Sequence, residues 1–157
     1  MLASKPETGT LQHVVIRTAA LLHVDRTALS LQDDFHQAVA IGWGDVHVEG
    51  DDLAWDVPDA TVTAVYRVLI ESLNNVVKHA RNAQVNVSLR RLSQQLELCI
   101  ADNGPGYQLQ DLSFSELLRR NHLGIMGMHE WTRMVQGELR LVENKPKGLA
   151  VLMRCPI

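Results

Sequence analysis

Three stretches of this 157-residue chain carry side chains whose types and spacing could do chemistry. The first is Asp102-Asn103-Gly104-Pro105-Gly106. It follows Leu96-Glu97-Leu98-Cys99-Ile100-Ala101, which alternates like a strand. A carboxylate therefore arrives at a strand end, where burial is costly unless it is hydrogen-bonded. Its partner is either a backbone group or a ligand. Gly104 and Gly106 can take positive φ and let a ligand approach the backbone, while Pro105 stiffens the turn between them. The same residues would also serve as an ordinary strand-end turn.

The second stretch is a polar line, Arg67, Glu71, Asn75 and His79, each four residues on, with Lys78 beside it. Asparagine costs a helix interior roughly 0.6 kcal/mol, yet Asn74 and Asn75 stand together. An amide oxygen one turn from a carboxylate suits a hard cation such as Mg²⁺. That ion takes few protein ligands and completes its shell with water and phosphate oxygens. Lys78 could meet a phosphate. A solvated helix face is the alternative reading. The third stretch, Leu123-Gly124-Ile125-Met126-Gly127-Met128, opens a helix. A glycine-bearing helix start presents free amides and a positive dipole end to phosphate. Glycines at that spacing would equally let the helix pack closely on a sheet.

The elements that must position these residues can be read from the pattern. The spacing predicts helices over about 10–24 and 27–40. A half-exposed strand is expected over 41–49, and a short strand at Leu53-Ala54-Trp55. The longest helix is expected from about Pro58 to Ala80, with Val62, Val65, Tyr66, Leu69, Leu73, Val76 and Val77 on one face. Val85, Val87 and Leu89 alternate as a strand. Arg90 to Gln94 reads as a hairpin turn, followed by the strand that ends in Asp102. Tyr107 to His122 lacks a strong period and reads as a long loop with a short helical piece. A helix from Leu123 to about Val135 is ended by Gly137. Strands from Leu139 and from Leu149 to Cys155 close the chain, with a turn at Asn144 to Gly148. The order predicts an α+β fold, a two-layer sandwich with a mixed sheet and helices on one face.

Composition narrows the function classes. The apolar fraction is 46% and aromatics are 4%, so the core must be aliphatic. A net charge of −3 argues against a nucleic-acid partner. Two cysteines, Cys99 and Cys155, fit a reducing compartment, hence the cytoplasm. No apolar run is long enough to span a membrane, and the polar start, Met1 to Gly9, reads as neither signal peptide nor anchor. A P-loop, a Gly-x-Ser-x-Gly elbow and zinc-like histidine–cysteine spacing are all missing.

Taken in order, Glu71-Ser-Leu-Asn-Asn75-Val-Val-Lys78-His79-Ala80, Asp102-Asn-Gly104-Pro-Gly106 and Gly124-Ile-Met-Gly127-Met128 resemble the N, G1 and G2 boxes of the GHKL ATPases. The closest likeness is to the ATP-binding catalytic domain of sensor histidine kinases. The Asn-Val-Val-Lys-His-Ala ending and Gly-x-x-Gly-Met start resemble the branch that pairs with LuxR/NarL-type response regulators. The resemblance covers about Asp45 to Ile157. It implies a Bergerat-type α/β sandwich over 41–157, with 1–40 a helical appendage left from dimerisation or linker helices. Asp102 would read the adenine amino group. Gly104, Gly106, Gly124, Gly127 and Met128 would contact ATP or hinge a lid over Tyr107 to His122. Asn75 would ligate Mg²⁺. Glu71, Lys78 and His79 would serve phosphoryl transfer to a histidine outside this sequence.

That histidine would lie on a phosphoacceptor domain, in cis or in a dimer partner, without which autophosphorylation is not expected. A response regulator would receive the phosphoryl group. The segment itself would contact no membrane, whether or not it belongs to a membrane-bound sensor. Three departures stand out. His122 replaces the first glycine of a Gly-x-Gly, Gly148-Leu149 replaces Gly-Thr, and the branch's acceptor His-Asp motif is missing, His23-Val24-Asp25 being the nearest stretch. Two alternatives stay open: an anti-sigma-type serine kinase on the same fold, and a non-enzymatic module that binds or has lost nucleotide.

Overall fold

A computed structural model describes residues 8–9, 46–50, 57–80, 82–106, 115, 119 and 122–157. Within them lie β1 (Thr8–Gly9), β2 (Val46–Gly50), α1 (Asp59–His79), β3 (Val85–Leu92), β4 (Gln95–Asp102), α2 (Leu123–Met134), β5 (Glu138–Glu143) and β6 (Leu149–Pro156). The expected helices over 10–24 and 27–40, the strand at 53–55 and most of the 107–122 lid lie outside the described residues. Inside that lid, Ser115 and Arg119 are helical. Of the proposed appendage only Thr8 and Gly9 are described, and they pair antiparallel with β2.

The six strands form one mixed sheet in the order β1-β2-β3-β4-β6-β5. The β2–β3 pair is parallel and the others are antiparallel. A parallel pair needs a crossover, and α1 lies between β2 and β3 in sequence. Alternation decides which face of each strand meets the helices. Val85, Val87 and Leu89 of β3 are buried, as are Leu96, Leu98 and Ile100 of β4 and Val151, Met153 and Cys155 of β6. Against them α1 sets Val65, Val68, Leu69 and Leu73, and α2 sets Ile125 and Met128. Burial pushes the Cys155 thiol up to about 11, so it behaves as a small apolar side chain.

Pro58 stands at the N-cap of α1, Asp59 in its first turn and Lys78 and His79 in its last, all in the sense the helix dipole favours. The expected apolar face is buried apart from half-buried Val77, and it is wider than expected, since Thr61, Ala64, Val68 and Ser72 are buried too. This helix packs on the sheet and on α2 at once.

Two local expectations are corrected. Arg90, Arg91 and Leu92 are strand, paired with Glu97, Leu96 and Gln95, and only Ser93-Gln94 turn the chain. Ser93 takes φ 57°, the left-handed geometry that two-residue hairpins use. At the end of α2 the left-handed residue is Gln136, φ 58°, and not Gly137. Gln136 N–H donates to Arg133 at 3.0 Å and Gly137 N–H to Thr132 at 2.9 Å, the paired bonds of a Schellman ending. Gly137 is small because the Arg154 carbonyl of β6 lies where its Cβ would be.

Leu69 is fully buried between layers, whereas Met134 is 75% exposed. Leu69→Ala is expected to lower unfolding free energy by about 2–5 kcal/mol. Met134→Ala should stay within about 0.5 kcal/mol of the parent. Urea denaturation followed by circular dichroism checks both.

Candidate functional site

The helix-facing alternation of β4 runs Leu96, Leu98, Ile100 and then Asp102. The strand thus carries a carboxylate onto the core face, where it is only 7% exposed. Oδ1 accepts hydrogen bonds from the Gly104 N–H at 2.8 Å and the Leu149 N–H at 3.4 Å. Among the described residues nothing donates to Oδ2. A buried carboxylate oxygen without a donor is costly, and Asp102 lines a cleft.

The cleft lies between α1, the start of α2 and the ends of β4, β5 and β6. Val76, Ala80, Ile100, Ile125, Met128, Leu141, Leu149 and Val151 give it apolar walls. Ser72, Asn75, His79 and His122 supply polar groups, and Pro105 and Gly106 supply a turn. A flat aromatic ring with an exocyclic N–H donor would match apolar walls that carry the Asp102 carboxylate.

Of the sequence-derived site residues, Asn75, His79, Asp102, Gly106 and Met128 line this cleft. Glu71, Lys78, Gly104, Gly124 and Gly127 do not, and each has a definite place. Lys78 is exposed on α1. Gly104 packs on Ala80, whose methyl fills the space a Cβ would need. The Glu71 carboxylate stands where a side chain at Gly124 would be. Gly127 meets only Trp131 of its own helix, at an ordinary 3.4 Å from its notional Cβ. The glycines of α2 therefore differ: Gly124 seats an acid from α1, whereas a Cβ at Gly127 would make ordinary contact with Trp131.

Along the polar line on α1, Arg67 and His79 are exposed while Glu71 and Asn75 are half-buried. The Arg67 guanidinium lies 5.3 Å from the centre of the Trp131 ring, and Glu71 abuts Gly124. Asn75 and His79 follow into the cleft. Ser72 adds to the seam: its hydroxyl donates to the Val68 carbonyl at 2.7 Å, and its oxygen lies 3.4 Å from the Met128 sulfur.

His122 is the N-cap of α2 and makes no side-chain cap there. Its φ of −83° is open to any L-residue, which accounts for a histidine in place of glycine. The first amides of α2 have no partner within the helix, and they start beside the cleft. Among the described residues no group of three His, Cys, Asp or Glu could hold a metal ion. Asn75 lines the cleft, and an amide oxygen is the kind of single ligand that would suit a cation arriving with its own phosphate oxygens.

Sequence reasoning placed the β5–β6 turn but missed its contact with Asp102. Gly148 has φ +115°, and a Cβ there would collide with the Asp102 carbonyl. Asn144 donates from Nδ2 to that same carbonyl at 2.8 Å. Leu149 gives its N–H to Oδ1 and its side chain to the cleft. The turn itself is legible as Asn144 to Gly148, but nothing in one dimension says that it folds against Asp102. The apolar lining from Ile100 and Val151 was available in the alternation.

A family model described as "Histidine kinase-, DNA gyrase B-, and HSP90-like ATPase" matches residues 60–157. The chain is 26% identical over 111 residues to the sensor histidine kinase LiaS of Bacillus subtilis, covering 68% of this chain and 29% of LiaS. It is 28% identical over 101 residues to the signal transduction histidine-protein kinase/phosphatase DegS of Brevibacillus brevis, covering 64% of this chain and 24% of DegS. The chain thus spans under a third of these relatives. Among solved structures, the histidine kinase domain of the Erythrobacter litoralis EL346 blue-light activated histidine kinase superposes with a TM-score of 0.63 at 21% identity. That match covers 99% of this chain and 65% of the other, and it shows a shared fold.

The three glycines predict three outcomes. Gly148→Ala should cost about 3 kcal/mol or more, from strain at positive φ plus collision with rigid backbone. Gly127→Ala should gain up to about 1 kcal/mol, the usual advantage of alanine in a helix interior. Gly124→Ala should lose that advantage while Glu71 is present and regain it in a Glu71→Ala background. Denaturant midpoints of the single and double variants measure all three.

Proposed function

The chain belongs to the family of histidine kinase-, DNA gyrase B- and HSP90-like ATPases, and from that premise we propose that it is the ATP-binding catalytic domain of a two-component sensor histidine kinase. It binds Mg-ATP and transfers the γ-phosphoryl group to a histidine on a phosphoacceptor domain, in cis or in a dimer partner. The observation that carries the reading is Asp102: a buried carboxylate with one oxygen held by backbone amides and the other without a donor among the described residues, on the wall of an apolar cleft.

Adenine fits that oxygen. Its exocyclic amino group donates a hydrogen bond, whereas guanine presents a carbonyl oxygen at the same position and would meet the carboxylate with repulsion. The apolar walls cover the ring. The phosphates extend toward the uncapped start of α2, whose amides favour anions, and toward His79 and Lys78 at the end of α1. Asn75 would hold the magnesium that accompanies the phosphates, and that ion neutralises charge on their oxygens. Glu71, seated against Gly124, would orient the attacking imidazole and take the proton from its non-attacking nitrogen. Gly106, with φ +80°, begins the lid expected over Tyr107 to His122. Such transfer needs positioning and charge stabilisation more than covalent help from the protein.

The partners follow from this chemistry: the phosphoacceptor domain, and a response regulator of LuxR/NarL type, supported by Asn-Val-Val-Lys-His-Ala at 75–80. No helix among the described residues is long and apolar enough to cross a membrane. ATP as substrate and two free cysteines, Cys99 and Cys155, support work on the cytoplasmic side.

Calorimetric titration with a non-hydrolysable ATP analogue, with and without Mg²⁺, tests the reading. The parent should bind it in preference to the guanosine counterpart, and equal affinity for the two would refute base reading by Asp102. Asp102→Asn should weaken binding about tenfold or more, the cost of losing a charged acceptor. Asn75→Ala should abolish the Mg²⁺-dependent part of the affinity. With labelled ATP and a phosphoacceptor domain, the phosphoprotein should be acid-labile. Acid-stable label would point to a serine kinase, and no binding at all to a degenerate module.

A further inference from the structure

We infer that Asn144 is a positioning residue for the Asp102 carboxylate, acting from the β5–β6 turn to set base specificity. The inference rests on the base-reading role proposed above. The ladder between β4 and β6 ends at Ala101 opposite Ala150. Asp102 stands one residue beyond it, so this ladder does not fix its peptide on the β6 side. The turn takes over. Asn144 Nδ2 donates to the Asp102 carbonyl at 2.8 Å. The Asn144 N–H donates to the Gly148 carbonyl at 3.0 Å and closes the turn. Gly148, without a side chain, lies against the same Asp102 carbonyl. Leu149 then reaches Oδ1 at 3.4 Å.

One turn thus grips Asp102 at both its carbonyl and its carboxylate. The Leu149 bond is long, so the Asn144 bond is the stronger tie on that side. Releasing it leaves that peptide held only from the β3 side, where the Asn103 N–H donates to the Gln84 carbonyl at 3.2 Å, and lets the carboxylate tilt. A hydrogen bond to a flat base is directional, so a tilted acceptor loses base recognition first. Phosphate contacts come from α1 and α2 and are untouched. Asn144 is half-buried and does not line the cleft, so its effect passes through Asp102. The residue type matters, because an aspartate here would keep the shape and the turn preference yet donate nothing.

The test measures affinity for a non-hydrolysable ATP analogue, its guanosine counterpart and Mg-tripolyphosphate, using parent, Asn144→Asp, Asn144→Ala and Asp102→Asn. Circular dichroism confirms folding. Each Asn144 variant should bind the ATP analogue about three- to tenfold more weakly, the worth of one hydrogen bond. The adenine-over-guanine ratio should shrink in step, and tripolyphosphate affinity should not change. A residue that merely stabilises the turn would lower the melting temperature and leave the ratio alone. An unchanged ratio in whichever Asn144 variant folds overturns the inference. If Asp102→Asn collapses the ratio and the Asn144 variants keep it, only the positioning role falls. If Asp102→Asn also keeps it, the base-reading role falls and this inference with it.

Discussion

A carboxylate that alternation forces onto the core face is the constraint on which the rest of this site depends. Asp102 continues the buried series of Leu96, Leu98 and Ile100, so it cannot turn to solvent without breaking the register of β4. It must be solvated by the protein. The Gly104 and Leu149 amides do this for one oxygen. The approach of Gly104 to Ala80 leaves no room for a side chain at 104, and the approach of the β5–β6 turn leaves none at Gly148. Among the described residues nothing donates to the second oxygen. A polar group that would be a liability in an ordinary core becomes the most selective feature of the cleft.

The opposite side of the cleft is built from the seam between α1 and α2. Arg67 on Trp131, Glu71 on Gly124 and Ser72 on Met128 make successive contacts along it. These contacts tie the residues that would meet the phosphates to the helix whose start would bind them. An acid seated by a neighbouring glycine has few places to go, and that suits a group meant to orient another. The cleft therefore has two ends of different character. One is a rigid acceptor on the sheet, and the other is a set of donors and polar side chains on two interlocked helices.

Much of the fold was legible because its elements have strong periods. The 3.6-residue pattern over α1, the alternation in β3, β4 and β6, and the glycine-bearing start of α2 all survive in three dimensions. The errors fell where backbone detail outweighs pattern. Arg90 to Leu92 are polar enough to read as a turn, yet their pairing with Gln95 to Glu97 holds them in the ladder. Gly137 reads as a helix stop, yet Gln136 adopts the left-handed conformation and Gly137 makes room for β6. A glycine in sequence announces only that something is close or strained there.

By itself, then, the sequence determined the layers, the family boxes and the chemical types in them, because periodicity and residue type are local properties. Asp102, Asn75, His79, Gly106 and Met128 could be marked from spacing together with the resemblance to the family boxes, and they line one cleft. Tertiary structure alone decided what each glycine is for, that Glu71 packs against Gly124, and that Asn144 and Gly148 close on Asp102 from more than forty residues away. Those facts depend on which backbones approach one another across the sheet and between the helices. Distances of that kind are set by packing the whole core, and no local pattern encodes them.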